Sequence, residues 1–211
     1  MPQTVQEQRP TRERIVSTAR ELFWVQGYEA TSLAEVAERA EVNPGSLYYF
    51  FKTKESLLLG VLDWYLENLS VVMDPVFGTI TDPVERVFGI LEAYRLGLIY
   101  TACTGGCPIG NLSIEIGDHI PAARERIARN FENWRREVRG CLEAAGDRLP
   151  TSLDRDQLAT FVLTVMEGAV MQARARGSLE PFDASVAQLR AYVDALLRAA
   201  AGDSSAHEKG E

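Results

Sequence analysis

Two groups of residues in this 211-residue chain have types and spacing that carry chemistry. The first is Cys103, Cys107, His119 and Cys141. Thiolates and imidazoles bind zinc, but structural zinc sites are built on close pairs such as C-x-x-C. Cys103 and Cys107 are four apart with Gly105 and Gly106 between them, so no metal and no cofactor is expected. A thiol at a helix N-terminus has its thiolate favoured. Cys107 stands ahead of Pro108 and of a helix expected from about Asn111 to Ile116. A reactive thiol and an inert buried one both fit that position. Arg174, on a later helix, would add a positive charge if it packs nearby. The second group is Asn43-Pro44-Gly45-Ser46 followed by Tyr48 and Tyr49. Small residues let a backbone approach base edges, and tyrosines offer hydroxyls to phosphates and flat faces to thymine methyls. Lys54, with Thr31 and Ser32, lies at helix starts, where dipole and cation favour a phosphate.

The elements that must position these groups are helical. Apolar residues recur at helical spacing almost everywhere, and no alternating strand pattern survives inspection. A first helix follows Thr11, carries Ile15, Ala19, Leu22 and Phe23 on one face, and ends at Gly27. Ser32 with Glu35 reads as a capping box for a second, Leu33 to Ala40. Asn43 caps a short third, Pro44 to about Phe50, with proline at its first position. Thr53 caps a fourth, running to Leu69. Further helices are expected over 83–100, 111–116, 121–146, 154–176 and 183–201. The expectation is an all-α chain of about nine helices. It divides into a three-helix domain over 1–52 with a disordered arm at 1–9, a helical regulatory and dimerisation domain over 53–201, and a disordered tail over 202–211.

Helices 33–40 and 44–50, joined by a tight turn, have the layout of a helix-turn-helix, whose second helix enters the major groove. Charge does not help this reading. Residues 1–55 hold seven basic and eight acidic side chains, a net of −1, on a chain of net charge −8. Spacing alone leaves DNA reading and plain packing of the tyrosines both open. The row Arg124, Arg126, Arg129, Arg135, Arg136 and Arg139 reads as a solvated helix face, with Glu125 and Glu132 four residues before Arg129 and Arg136. Nothing approaches the ~20 apolar residues of a membrane span. The opening MPQTVQEQRP lacks a signal core, so a cytoplasmic protein with no membrane partner is expected.

The run TRERIVSTARELFWVQGYEATSLAEVAERAEVNPGSLYYFFKTKESLL resembles the DNA-binding region of TetR-family regulators over about a quarter of the chain. It shares the amphipathic first helix, the G-Y-x-x-T-S turn, the A-E-V-A helix, G-S-L-Y-Y at the reading helix and F-K-T-K-E-S-L after it. The resemblance implies a homodimeric regulator, usually a repressor, with operator DNA as partner and a C-terminal domain that binds a small-molecule effector. It carries DNA contact to Thr31, Asn43, Pro44, Gly45, Ser46, Tyr48, Tyr49 and Lys54. Two residues depart from the family pattern. Phe50 stands where histidine or tyrosine is common, and Glu41 stands in the turn where glycine is common, which strains or reshapes that turn.

The resemblance also implies a ligand cavity among the C-terminal helices, for which Phe88, Tyr94, Cys107, Trp134, Met166 and Arg174 are the candidates. Each of them would equally serve as core. The segment GGCPIGNLSIEIGD is similar to a stretch of TetR-family members that respond to electrophiles or small unsaturated acids. The last two helices carry more apolar residues than one bundle needs: Leu158, Phe161, Val162, Val165, Ala169 and Val170, then Val186, Leu189, Val193, Leu196 and Ala200. A homodimer built on them is expected. The rivals are an enzyme using Cys107 with His119, which lacks any supporting phosphate loop or nucleophile motif, and a ligand-binding protein on the same scaffold that binds no DNA.

Overall fold

A computed structural model describes residues 11–116 and 119–207, and the arm at 1–9 and residues 208–211 lie outside them. The described residues form ten α-helices, one 3-10 turn and no strand. The helices are α1 (Thr11–Gln26), α2 (Leu33–Arg39), α3 (Pro44–Phe50), α4 (Lys54–Glu67) and α5 (Leu69–Phe77). They continue with α6 (Pro83–Tyr100), α7 (Pro108–Ile116), α8 (Pro121–Ala144), α9 (Arg155–Arg176) and α10 (Glu180–His207), the 3-10 turn Gly146–Arg148 preceding α9. Three points differ from expectation. Helix α5 was not anticipated. Helix α7 starts three residues earlier than Asn111. Helix α10 runs through His207, so residues 202–207 are helix and not tail.

The packing falls into two compact units that do not follow a boundary at residue 52. The first holds residues 1–69 and 107–131, so α4, α7 and the front of α8 pack with the three head helices. Its centre is the apolar face of α1, with Ile15, Ala19, Leu22 and Phe23 all buried as the spacing predicts. Ile109, Leu112 and Ile116 bury the inward face of α7 in the same unit. Asn130 is a buried polar residue of α8, and its amide donates to the Leu62 and Arg126 carbonyls. Beside it Arg126 pairs with Asp63 at 2.7 Å.

The second unit holds residues 70–106 and 132–211. Its helices α9 and α10 pack along their lengths, and both also touch α6. Asp82 caps α6 and Asp154 caps α9, each accepting two backbone N–H bonds of the first turn. Gly177 closes α9 in the left-handed conformation (φ 63°), where a Cβ would be strained. The arginines of α8 pair, though not as their spacing predicts. Glu132 bonds Arg135 and not Arg136, because the i,i+3 partner also reaches Asp156 across the unit.

Candidate DNA-reading head and effector site

Helix α3 is only seven residues long, and its start is set by side-chain chemistry. The Asn43 side chain accepts the Ser46 N–H at 2.8 Å, and Pro44 fills the first position, where an N–H would go unused. Leu47 alone is buried and pins the helix to the core. Asn43, Pro44 and Gly45 are exposed, and so are Tyr48 (49%), Tyr49 (75%) and Phe50 (39%). Tyr49 and Phe50 meet edge to face at 5.0 Å. The outward surface of α3 is therefore polar-aromatic and free of charge. In the preceding turn Glu41 adopts φ +54°, the conformation a glycine would take without strain.

Two candidate contacts are spent inside the head. Thr31 is 2% exposed, and its hydroxyl donates to the Gly27 carbonyl at 2.7 Å. It serves the α1–α2 turn and presents nothing to a phosphate. The Lys54 ammonium donates to the Glu29 carbonyl at 3.1 Å and lies 4.3 Å from the centre of the Tyr28 ring. Lys54 thus fastens α4 to the same turn. Ser32 caps α2 by accepting the Glu35 N–H. The expected reciprocal half of that box is replaced, because the Glu35 carboxylate takes a bond from Gln26 instead. A complete capping box stands at Thr53 and Ser56.

The effector candidates divide between the units. Cys107 lies in the first unit, 3% exposed, directly before Pro108. Its Sγ accepts the Gly110 N–H at 3.3 Å, so the sulfur is the N-cap of α7. The thiol is thereby held at the start of α7 with that N–H aimed at its sulfur. Next to it in the same unit lie Tyr65, Trp64 and Arg20. The Arg20 guanidinium sits 3.2 Å from the Trp64 ring centre and bonds the Tyr65 hydroxyl. Burial pushes the Tyr65 phenol up, Arg20 opposes that, and the charge of Cys107 adds to it. Phe88, Tyr94, Trp134, Met166 and Arg174 belong to the second unit. Tyr94 and Trp134 meet edge to face at 5.8 Å, both half-buried. Met166 is core, Phe88 lies under the Arg190 guanidinium at 3.3 Å, and Arg174 is exposed. Cys103 and Cys141 are buried free thiols, and burial pushes the Cys141 thiol up.

Residues 15–61 match the family model for bacterial regulatory proteins of the tetR family, and residues 83–189 match that for the tetracyclin repressor-like C-terminal domain. An HTH-type transcriptional regulator of Mycobacterium tuberculosis is 30% identical over 186 residues, covering 85% of this chain and 92% of the relative. The chain belongs to the TetR family. The HTH-type transcriptional repressor DhaR of Mycobacterium sp. (strain GP1) is 27% identical over 177 residues, covering 82% of this chain and 87% of its own. A TetR transcriptional regulator from Chloroflexus aurantiacus J-10-FL superposes with a TM-score of 0.74 at 29% identity, covering 87% and 94% of the two chains. This TetR-family chain is a DNA-binding transcriptional regulator and not an enzyme. Among its described residues no helix is long and apolar enough to cross a membrane.

Reasoning from sequence missed one residue of the TetR-family head. Glu115, on α7, accepts the Tyr28 N–H at 2.8 Å and the Glu29 N–H at 2.7 Å. It falls in the segment GGCPIGNLSIEIGD, but its role was hidden because its partners lie 87 and 86 residues away.

Proposed function

We propose that the chain is a repressor that holds its operator through α3 and is released by a small molecule. The observation that carries this is the outward face of α3, whose N-cap is satisfied internally while Tyr48 and Tyr49 stand free in solvent. A packing role would bury those rings. In the major groove the first turn of α3 meets base edges, Tyr48 and Tyr49 serve phosphates and thymine methyls, and Asn43, Pro44, Gly45 and Ser46 allow close approach. Likeness to a named repressor supports the direction of control. An electrophoretic shift with the region upstream of its own gene tests this. A shifted band that Tyr48→Ala abolishes is expected, and no shift at all would return the chain to a ligand-binding scaffold.

The working unit in this reading is a homodimer in the cytoplasm. Of the residues expected at the interface, Val162, Val170 and Val193 are buried within the second unit itself, while Leu158, Ala169 and Leu189 line a groove on it. The face left outside is a groove along α9 and α10 with Phe161 and Tyr192 half-exposed, their rings 6.0 Å apart, floored by Gly168 and Ala169. A second copy laid on this groove would set two heads at half-sites spaced by about one turn, roughly 34 Å, or more.

The effector reading centres on Cys107. Its thiolate would add to the β-carbon of an unsaturated carbonyl compound, the displaced π electrons taking up a proton at the α-carbon. N-ethylmaleimide is the probe, with mass spectrometry to locate the adduct. Adduct on Cys107 with release from DNA, and neither in Cys107→Ser, is the expected result. Release without an adduct would move the site to a non-covalent ligand at the paired Tyr94 and Trp134 rings.

A further inference from the structure

The α1–α2 turn is an anion-binding nest. Gly27 has φ +91°, and this aims the successive N–H groups of Tyr28 and Glu29 to one side. The Glu115 carboxylate fills the nest with one oxygen on each N–H, both bonds short and charge-assisted. The fit is close enough that a Cβ on Gly27 would lie 3.0 Å from Glu115 Oε1. The inward face of α7 is otherwise apolar, through Ile109, Leu112 and Ile116. A greasy face can slide, whereas a two-point carboxylate fixes position. The turn so held sets how α2 leaves α1, and α2 carries α3 through the Glu41 turn. Lys54 grips the opposite side of the turn at the Glu29 carbonyl.

Acidic side chains gather around this turn. Glu29, Glu55 and Glu115 stand near enough to Tyr28 that, after burial, their combined field raises its phenol further.

We propose that Glu115 is the positioning residue through which α7 holds the α1–α2 turn in its operator-binding geometry, so that a shift of α7 releases the head by withdrawing this carboxylate. The inference rests on α3 being the DNA-reading helix, and it is independent of what moves α7. The test uses the full chain and a duplex that the unaltered protein recovers from a random-sequence pool. Glu115→Ala should lower affinity for that duplex by about tenfold or more, with Glu115→Gln, which keeps one acceptor oxygen, falling between. Amide exchange at Tyr28 and Glu29 in the DNA-free chain should quicken by a similar factor, while the melting temperature of Glu115→Gln stays near that of the unaltered chain. A merely structural Glu115 would lower the melting temperature and leave the affinity of the folded chain unchanged. Affinity within twofold of the unaltered chain in Glu115→Gln and in the folded fraction of Glu115→Ala overturns the proposal. Failure of the unaltered chain to recover any duplex overturns the DNA-reading assignment and this inference with it.

Discussion

Two aromatic pairs stand in solvent, and they are built differently. Tyr48 and Tyr49 sit on a seven-residue helix anchored by one leucine, among asparagine, serine and glycine. Phe161 and Tyr192 sit on helices of 22 and 28 residues and line an open groove with Val165, Gly168 and Ala184. The first pair offers two hydroxyls on a small, wet platform suited to a polar polymer. The second offers one hydroxyl beside a long groove of mixed lining, in which Gln157, Thr164 and Gln188 stand among the apolar residues, a surface that would suit another helix pair. The two settings differ in length and polarity, and so in the partner each would suit.

Placing a charge in the groove tests this contrast most severely. Phe161→Glu should convert a dimer to a monomer in sedimentation equilibrium and lower operator affinity by about a hundredfold or more, because linkage of two half-sites is lost. A dimer with full affinity would remove the groove from the interface. On the other side of the comparison, Tyr48→Ala should keep the dimer and cost about 1–3 kcal/mol of operator binding, a fall of roughly tenfold to a hundredfold. Tyr48→Phe then separates ring from hydroxyl, and full recovery would assign the work to the ring. Asn43→Ala removes the cap of α3 and should cost the head about 1 kcal/mol in urea denaturation. Its operator affinity should fall only a few-fold.

The smallest effect concerns how α10 is held to α6. Arg190 bonds the Glu85 carboxylate at 2.6 and 2.8 Å and keeps its pKa below the ordinary 4.5. A carboxylate lowered in the folded state stabilises above its unfolded pKa, and that stabilisation is lost as pH falls through the folded value. The urea midpoint should therefore drop below pH 4.5, and Glu85→Gln should flatten the drop slightly. An unchanged slope would mean that the exposed pair contributes nothing measurable.

Much of the head was legible because its signals are local. Asn43 followed by Pro44, Ser32 and Thr53 each mark a helix start within three residues, and the α1 face repeats at helical spacing. Helix α5 escaped because its run, LSVVMDPVF, carries a proline and follows α4 with only Asn68 between them. The start of α7 escaped because Gly110 hid it, although Pro108 marks it. The long helices hid more. Both α9 and α10 are apolar on more than one side, so periodicity cannot separate Val162, facing the unit's own core, from Phe161, facing out. Only the folded turn reveals the Gly27 carbonyl that engages the buried Thr31 and the Glu29 carbonyl that takes one donor of Lys54. The Glu115 carboxylate lies in the segment GGCPIGNLSIEIGD singled out above, but its partners, 87 and 86 residues away, could not be read from it.

Glu41 bears on how long the protein stays on its site. A non-glycine residue at φ +54° costs about 1 kcal/mol or more, and here it also sets an exposed carboxylate in the turn that leads into the reading helix. The strain lowers the stability of the head, and the carboxylate repels a polyanion. Glycine at this position would be the tighter binder, with a slower off-rate and a higher melting temperature, both measurable on Glu41→Gly. The turn thus gives up some stability of the head and sets a negative charge beside α3.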